Sequence, residues 1–187
     1  MKNLDFSLEA ADTLVNVNSG TGFLARVKRW AVGEYSHVFK YMGKWDGTPM
    51  LFESNGRGVV LQSLSNRYGQ EVVVMRLKPE HREKIPAILN EAKRLASDPQ
   101  AYYDYTAIIL HIIPRILFEK LRLPIPLKYQ RDEKMICSEA EAETYWRSGL
   151  EAVSQKEEPL PGDFTESPLL EKAWQGTLSE ACLPEGS

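Results

Sequence analysis

The sequence has 187 residues, 43% of them apolar and 26% charged, enough for one domain that buries roughly two thirds of the surface its unfolded chain exposes. Its net charge of −3 argues against a nucleic-acid partner, and two cysteines cannot build a disulfide framework. The most apolar stretch, residues 106–118, is interrupted by His111, Pro114 and Arg115 and is too short to span a bilayer, so no integral membrane segment is expected.

Residues 1–11 read as a loose leader. Lys2 is followed by Asp5 and Glu9 with no apolar run, so no secretory signal is expected and the protein should start in the reducing cytoplasm. An extended segment, LVNVN, leads into the turn NSGTG, and GFLARVKRWAV then places Phe23, Leu24, Val27, Trp30 and Ala31 on one helical stripe. Four strands are expected at 35–42, 49–54, 59–64 and 72–77, separated by the turn-rich KWDGT, NGRG and NRYGQ. Such short connections favour an antiparallel meander. The last strand carries VVVM without alternation, so it should be covered on both faces.

Ile85, Ile88, Leu89, Ala92, Leu95 and Ala96 recur at helical spacing, with Pro86 tolerable at the first turn, and Asp98-Pro99 ends the helix. A more apolar helix is expected from about Asp104 to Leu121, bent at Pro114, before the Pro-rich LRLPIPLKY. Arg115, Lys120, Arg122, Lys128, Arg131 and Lys134 cluster here, but Glu119, Asp132 and Glu133 interleave with them, which reads as a solvated face. A further helix opens at Cys137 in MICSEAEAETYWRSGL. Beyond Leu150 the composition turns to Glu, Pro and Ser, with a short helix expected in SPLLEKAW. Residues 151–187 hold eight acids and two bases, leaving about +3 on the first 150. The organisation is thus a leader (1–11), one catalytic-type domain (12–150) and an acidic segment (151–187), partly packed and mobile after Trp174. Cys182 lies in that polar tail, and a single bridge from it to Cys137 stays open.

Three residues carry potential chemistry: His37 on the first strand of the meander, Glu53 on the next, and Cys137 at a helix start. A thiol there lies near the positive end of the helix dipole, and an adjacent imidazole would stabilise the thiolate further. Glu53 would accept the distal imidazole N–H and fix the tautomer. Glu139, two residues beyond Cys137, acts against thiolate formation unless it turns back to cap the helix, so the contact with His37 must outweigh it. The competing bases are His81, in the charged PEHREK, and His111, in ILHIIP. Asp104 is the competing acid and reads better as a helix cap. The backbone N–H of Cys137 would form half of an oxyanion hole, with Tyr35, Ser36, Tyr103 and Tyr105 as candidates for a second donor or for substrate contacts. No Cys-x-x-Cys or His-x-x-x-His occurs, so neither metal nor cofactor is expected. The glycines at Gly20, Gly22, Gly56 and Gly58 lack the Lys-Ser/Thr of a phosphate loop.

The stretches GTGFLARVKRWAVGEYSHV, LFES, YYDY and MICSEAE together resemble the permuted papain-like cysteine amidases, the YiiX-like branch of the NlpC superfamily, over roughly residues 12–150. The resemblance lies in the order of its motifs: a Gly-rich entry and short helix, a Ser-His-Val strand, an acid on the following strand, and a late helix opened by Cys-Ser-Glu. It implies an α+β, circularly permuted papain-like fold with an antiparallel sheet packed by helices. It also implies Cys137 as nucleophile, His37 as base and Glu53 as orienter. Where the family runs through small or aliphatic residues after Ser-His-Val, this chain has Phe39, Lys40 and Tyr41, bulky side chains expected to narrow a substrate cleft. The function expected is a cysteine hydrolase acting on an amide bond, with cell-wall peptides as one substrate class reached by a viral particle, a secretion machine or lysis. An acyltransferase or lipid hydrolase, with Ile108–Phe118 lining an acyl channel, and a silent binding module are the rivals. Protein partners and oligomeric state are not legible.

Overall fold

The computed structural model describes residues 6–18, 34–55, 58–98, 137–155 and 159–184. The expectations placed on the Gly20 and Gly22 turn, the helix around 23–31, Gly56, the helix from Asp104, the Pro-rich stretch and the basic cluster lie outside the described residues. So do His111, Tyr103 and Tyr105.

The described chain is α+β. Its six strands are β1 (Thr13–Val17), β2 (Tyr35–Trp45), β3 (Thr48–Asn55), β4 (Gly58–Ser63), β5 (Glu71–Leu77) and β6 (Leu170–Thr177). Its two helices are α1 (Ile85–Ala96) and α2 (Cys137–Trp146). The strands form one antiparallel sheet in the order β4-β3-β2-β1-β5-β6. The four expected strands form as β2 to β5 and the extended segment LVNVN as β1, but the meander expectation holds only for β2-β3-β4. After β4 the chain crosses the sheet, and β5 pairs with β1. The β2–β3 hairpin turns at Asp46 (φ 48°) and Gly47 (φ 76°), the Asp-Gly pair that a tight turn of this hand favours because both central residues need positive φ.

Alternation along the strands sorts the core. Val15, Val38, Val73 and Met75 pack with Ala142, Tyr145 and Phe164 on the α2 side. Leu14, Phe39, Tyr41, Val72 and Val74 pack on the other side with Leu8, Leu64, Leu178 and Cys182. VVVM is covered on both faces, as its lack of alternation requires. Phe39, Lys40 and Tyr41 are buried to within 1% of full burial. These bulky residues therefore fill the interior instead of narrowing a cleft, and a side chain such as Phe39 contributes about 2–3 kcal/mol by burial.

The acidic segment differs from its sequence reading. SPLLEKAW contributes no helix: Leu170–Thr177 is the edge strand β6, paired with β5 from Leu77↔Leu170 to Glu71↔Thr177. Cys182 is fully buried rather than exposed on a loose tail. Leu8 of the leader is buried as well, and its N–H donates to Cys182 O at 2.8 Å, so both ends close the same side of the sheet. Cys137 and Cys182 are free thiols in separate cores.

Candidate active site

α2 is buried on nearly every side: Ser138, Glu139, Ala140, Glu141, Ala142, Thr144 and Tyr145 are all buried, and Cys137 keeps 9% of its surface exposed. Small Ala140 and Ala142 let it lie close against β2 and β3. Its first described residue is Cys137. His37 comes from β2, opposite Asn16 of β1 and beside a register shift at Asn16/Val17. Glu53 comes from β3, whose pairing with β4 sets Glu53 opposite Val60. The fold therefore brings together the three residues that the sequence singled out.

His37 Nε2 meets Glu53 Oε2 at 3.0 Å, while Cys137 lies near enough to the ring for the charges of the two to act on each other. With Nε2 turned to the carboxylate, Nδ1 is the nitrogen left for the thiol. The imidazole is 18% exposed, against a Glu53 side chain with no exposure. Burial pulls the His37 pKa down, but the charge of Cys137, followed by the hydrogen bond and charge of Glu53, outweighs it and carries it to about 9. Burial pushes the Cys137 thiol up. The His37 charge, with backbone hydrogen bonds at Val38 and Ser138, overcomes this and holds it below its ordinary value. Glu139 is buried and engaged in an interaction of its own, and the net direction at the thiol is the one that the His37 contact sets.

Glu53 is also tied by residues that the sequence reading passed over. Oε1 accepts from Asn55 Nδ2 at 2.7 Å and Gln62 Nε2 at 2.6 Å. Oε2 accepts from Arg67 Nε at 2.9 Å and Nη2 at 2.5 Å besides His37. Burial raises the Glu53 pKa, yet hydrogen bonds from His37 and Asn55 and the charges of His37 and Arg67 bring it below the usual carboxylate value. Asn55 stood in a turn signal, Gln62 on the alternating strand β4 and Arg67 in a short 3₁₀ turn (Leu64–Arg67). None has a local pattern that marks it as a partner of an acid 2 to 14 residues away.

The other candidates fall elsewhere. Ser36 Oγ donates to Asn16 Oδ1 at 3.1 Å, and half-buried Tyr35 packs against Gly162, where a Cβ would stand 3.1 Å from Tyr35 Cδ2. His81 lies in the 3₁₀ turn Pro79–Lys84 that leads into α1.

A second buried cluster joins the same strand and helix. Lys40 Nζ of β2 reaches Glu141 Oε1 at 2.6 Å, both side chains having at most 1% exposure. Thr13 Oγ1 donates to the same oxygen at 2.6 Å and lies 2.7 Å from Tyr145 Oη. Lys40 Nζ also sits 4.1 Å from the centre of the Tyr145 ring.

No family model and no curated protein matches the chain. Among solved structures it resembles the crystal structure of the metalloprotein YiiX from Escherichia coli O157:H7, with a TM-score of 0.62 and 14% sequence identity over 92% of this chain and 100% of that one. The likeness shows a YiiX-like fold, which is the part of the sequence resemblance that it bears on. Among the described residues no group of three or more His, Cys, Asp or Glu side chains is arranged to hold a metal ion. Cys137 and Glu53 both act on the His37 ring, and the Glu53 oxygens are taken up by side-chain donors. No helix among the described residues is long and apolar enough to cross a membrane.

Proposed function

We propose that the chain is a cysteine hydrolase of the permuted papain-like kind, cleaving amide bonds with Cys137 as nucleophile, His37 as general base and acid, and Glu53 as orienter. The observation that carries this reading is the gathering of thiol, imidazole and carboxylate, with Glu53 on Nε2 of the ring and Cys137 and His37 acting on each other's charge. An opposed shift, thiol down and imidazole up, is what a thiolate–imidazolium pair needs.

In the reaction the Cys137 thiolate attacks the substrate carbonyl carbon, forming a C–S bond while the carbonyl electrons move to oxygen. Backbone N–H groups at the start of α2 receive that oxyanion. As the intermediate collapses the C–N bond breaks, and the imidazolium gives its proton to the departing amine. The thiolate charge is then gone from the thioester. Since that charge is the leading influence raising His37, its loss lowers the His37 pKa, and the ring stays neutral after giving up its proton and is free to act as a base. It takes a proton from water, whose oxygen attacks the thioester, and the carboxylic acid product and the Cys137 thiolate are released. No cofactor enters this scheme, and peptide-like amides are the substrate class.

The test is iodoacetamide alkylation against pH, read separately at Cys137 and Cys182 by mass spectrometry in wild type and His37→Ala. Reaction at Cys137 well below about pH 7, lost in the variant, is the expected result. An inert or ordinary Cys137 in wild type overturns the proposal and leaves a binding module. Peptide amides and acyl esters of graded length, tried on the reactive protein, separate amidase from lipid chemistry by whether the rate rises with chain length.

A further inference from the structure

The Glu53 oxygen that holds His37 is shared. Arg67 Nε and Nη2 both donate to Oε2, at 2.9 and 2.5 Å, and Nη2 lies 3.3 Å from His37 Nε2. The Arg67 side chain is 22% exposed and its guanidinium also stands 5.8 Å over the Phe39 ring, which itself lies 5.9 Å from the imidazole. Arg67 thus joins the thiol and carboxylate in a site that a three-membered scheme leaves at Cys137, His37 and Glu53. We propose that Arg67 is a positioning residue of this site, which fixes the Glu53 oxygen facing His37 and limits how firmly the imidazolium is held.

Two physical effects give the direction. When His37 is charged, Nε2 carries a proton and donates to Glu53 Oε2. Arg67 Nη2 then faces another donor of like charge, and the two compete for one oxygen. When His37 is neutral and keeps its proton on Nε2, as the Glu53 contact requires, the like-charge repulsion is gone and the shared oxygen is contested less. A like charge beside the charged form and a second donor drawing on the same Glu53 oxygen both favour neutral imidazole. Among the described residues the charged or titratable groups against the ring are Cys137 from α2, Glu53 from β3 and Arg67 from the turn after β4; the first two favour imidazolium and Arg67 alone opposes them. The balance has a use in the proposed reaction, on which this inference rests. An imidazolium gripped only by a thiolate and a carboxylate is slow to surrender its proton to a leaving amine, and slow to act as a base afterwards. Arg67 keeps the third member ionised while weakening its hold on the proton. Lysine is a poor substitute, because one ammonium cannot present two donors in the fixed fork that Nε and Nη2 make.

The test is the ring titration of His37 by heteronuclear NMR in wild type, Arg67→Gln and Arg67→Lys, with the His37 signal identified by its loss in His37→Ala and folding checked by circular dichroism. The expected result is a midpoint raised by about one pH unit in Arg67→Gln and by less in Arg67→Lys. The rate of amide cleavage should fall in both, while alkylation of Cys137 below neutrality persists. An unchanged or lowered midpoint in both variants overturns the inference, and if only Arg67→Lys folds its midpoint alone decides. The titration reads Arg67 whether or not Cys137 reacts: an inert wild-type thiol counts against the hydrolase, and an unmoved His37 midpoint counts against Arg67 only.

Discussion

Two polar clusters tie β2 to α2 or to its neighbours, and they are built on opposite principles. In the first, around His37, Glu53 accepts from His37, Asn55, Gln62 and Arg67, and the imidazole keeps partial access to solvent. In the second, Lys40, Glu141, Thr13 and Tyr145 are sealed, and Glu141 Oε2 is buried without a partner among the described residues. A group that must change protonation needs an environment in which both of its states are tolerated, and the four donors around Glu53 supply a fixed counter-structure for that change. A group that never titrates near neutrality needs only a partner. Burial pulls the Lys40 pKa down, but the Glu141 charge beside it prevails and holds it above its ordinary value. The lesson is that burial and ion pairing alone do not mark a reacting site. A chain of groups that shift one another in opposite directions, reachable from outside, marks it better.

The sealed cluster should carry the larger stability cost. Lys40→Met leaves the Glu141 carboxylate uncompensated in the interior, and about 3–5 kcal/mol of unfolding free energy should be lost, measured by urea denaturation. Lys40→Met combined with Glu141→Leu removes both charges and should recover most of that loss, since Thr13 and Tyr145 retain each other. The alkylation profile of Cys137 should be unchanged in the double variant. A shifted profile there would show that the two clusters are one unit and break the comparison.

Glu53→Gln should do the reverse, changing chemistry more than stability. An amide offers one acceptor oxygen where the carboxylate offers two, so one side of residue 53 must turn N–H groups toward donors. Loss of the negative charge lowers the His37 midpoint from about 9, opposite in sign to the expected effect of Arg67→Gln, and amide turnover should fall by about 10²-fold. The linkage has two edges. The His37 pKa is raised above its ordinary 6.5, so its contribution to stability is complete below that value and is lost as pH rises through about 9. The Glu53 pKa is depressed, so its contribution is present above the ordinary carboxylate value and disappears as pH falls through the depressed one. Glu53→Gln should therefore abolish the acid-side loss and bring the alkaline-side loss to lower pH. Denaturation midpoints across pH would check both, and an unaltered pH dependence would rule out the ion-paired arrangement.

Much of this architecture is legible in the sequence because it is written locally. Asp46-Gly47 announces its hairpin, VVVM announces a strand buried on both faces, and Cys137 opens its helix where apolar spacing begins. What is not legible depends on distant partners. Nothing in residues 72–77 tells β1 from β4 as a neighbour, so the crossover is invisible. SPLLEKAW has helical spacing, yet the free edge of β5 captures Leu170–Thr177, a case of tertiary pairing overriding local preference. In the sequence Lys40 is only one of three bulky residues after Ser-His-Val, because its partner Glu141 lies 101 residues on. The three residues of the series were found through the order of their motifs, whereas Asn55, Gln62 and Arg67 belong to the same site with no motif to announce them.

The smallest expected effect concerns Ser36, whose position next to His37 made it a candidate for substrate or oxyanion contact. Its hydroxyl donates to Asn16 Oδ1 at 3.1 Å, and Asn16 Nδ2 in turn donates to Gln70 Oε1 at 2.6 Å. This chain of amides and hydroxyl links β2, β1 and the approach to β5 beside the register shift at Asn16/Val17. Its work is to hold the strand from which His37 projects, and a donor committed in this way is not free for an oxyanion. Ser36→Ala should cost about 0.5–1.5 kcal/mol of stability, the net worth of one such bond, while the pH at which Cys137 becomes reactive stays put. A large loss of amide cleavage with stability intact would instead mean that the hydroxyl leaves Asn16 for the substrate, and would move Ser36 from the scaffold into the reacting cluster.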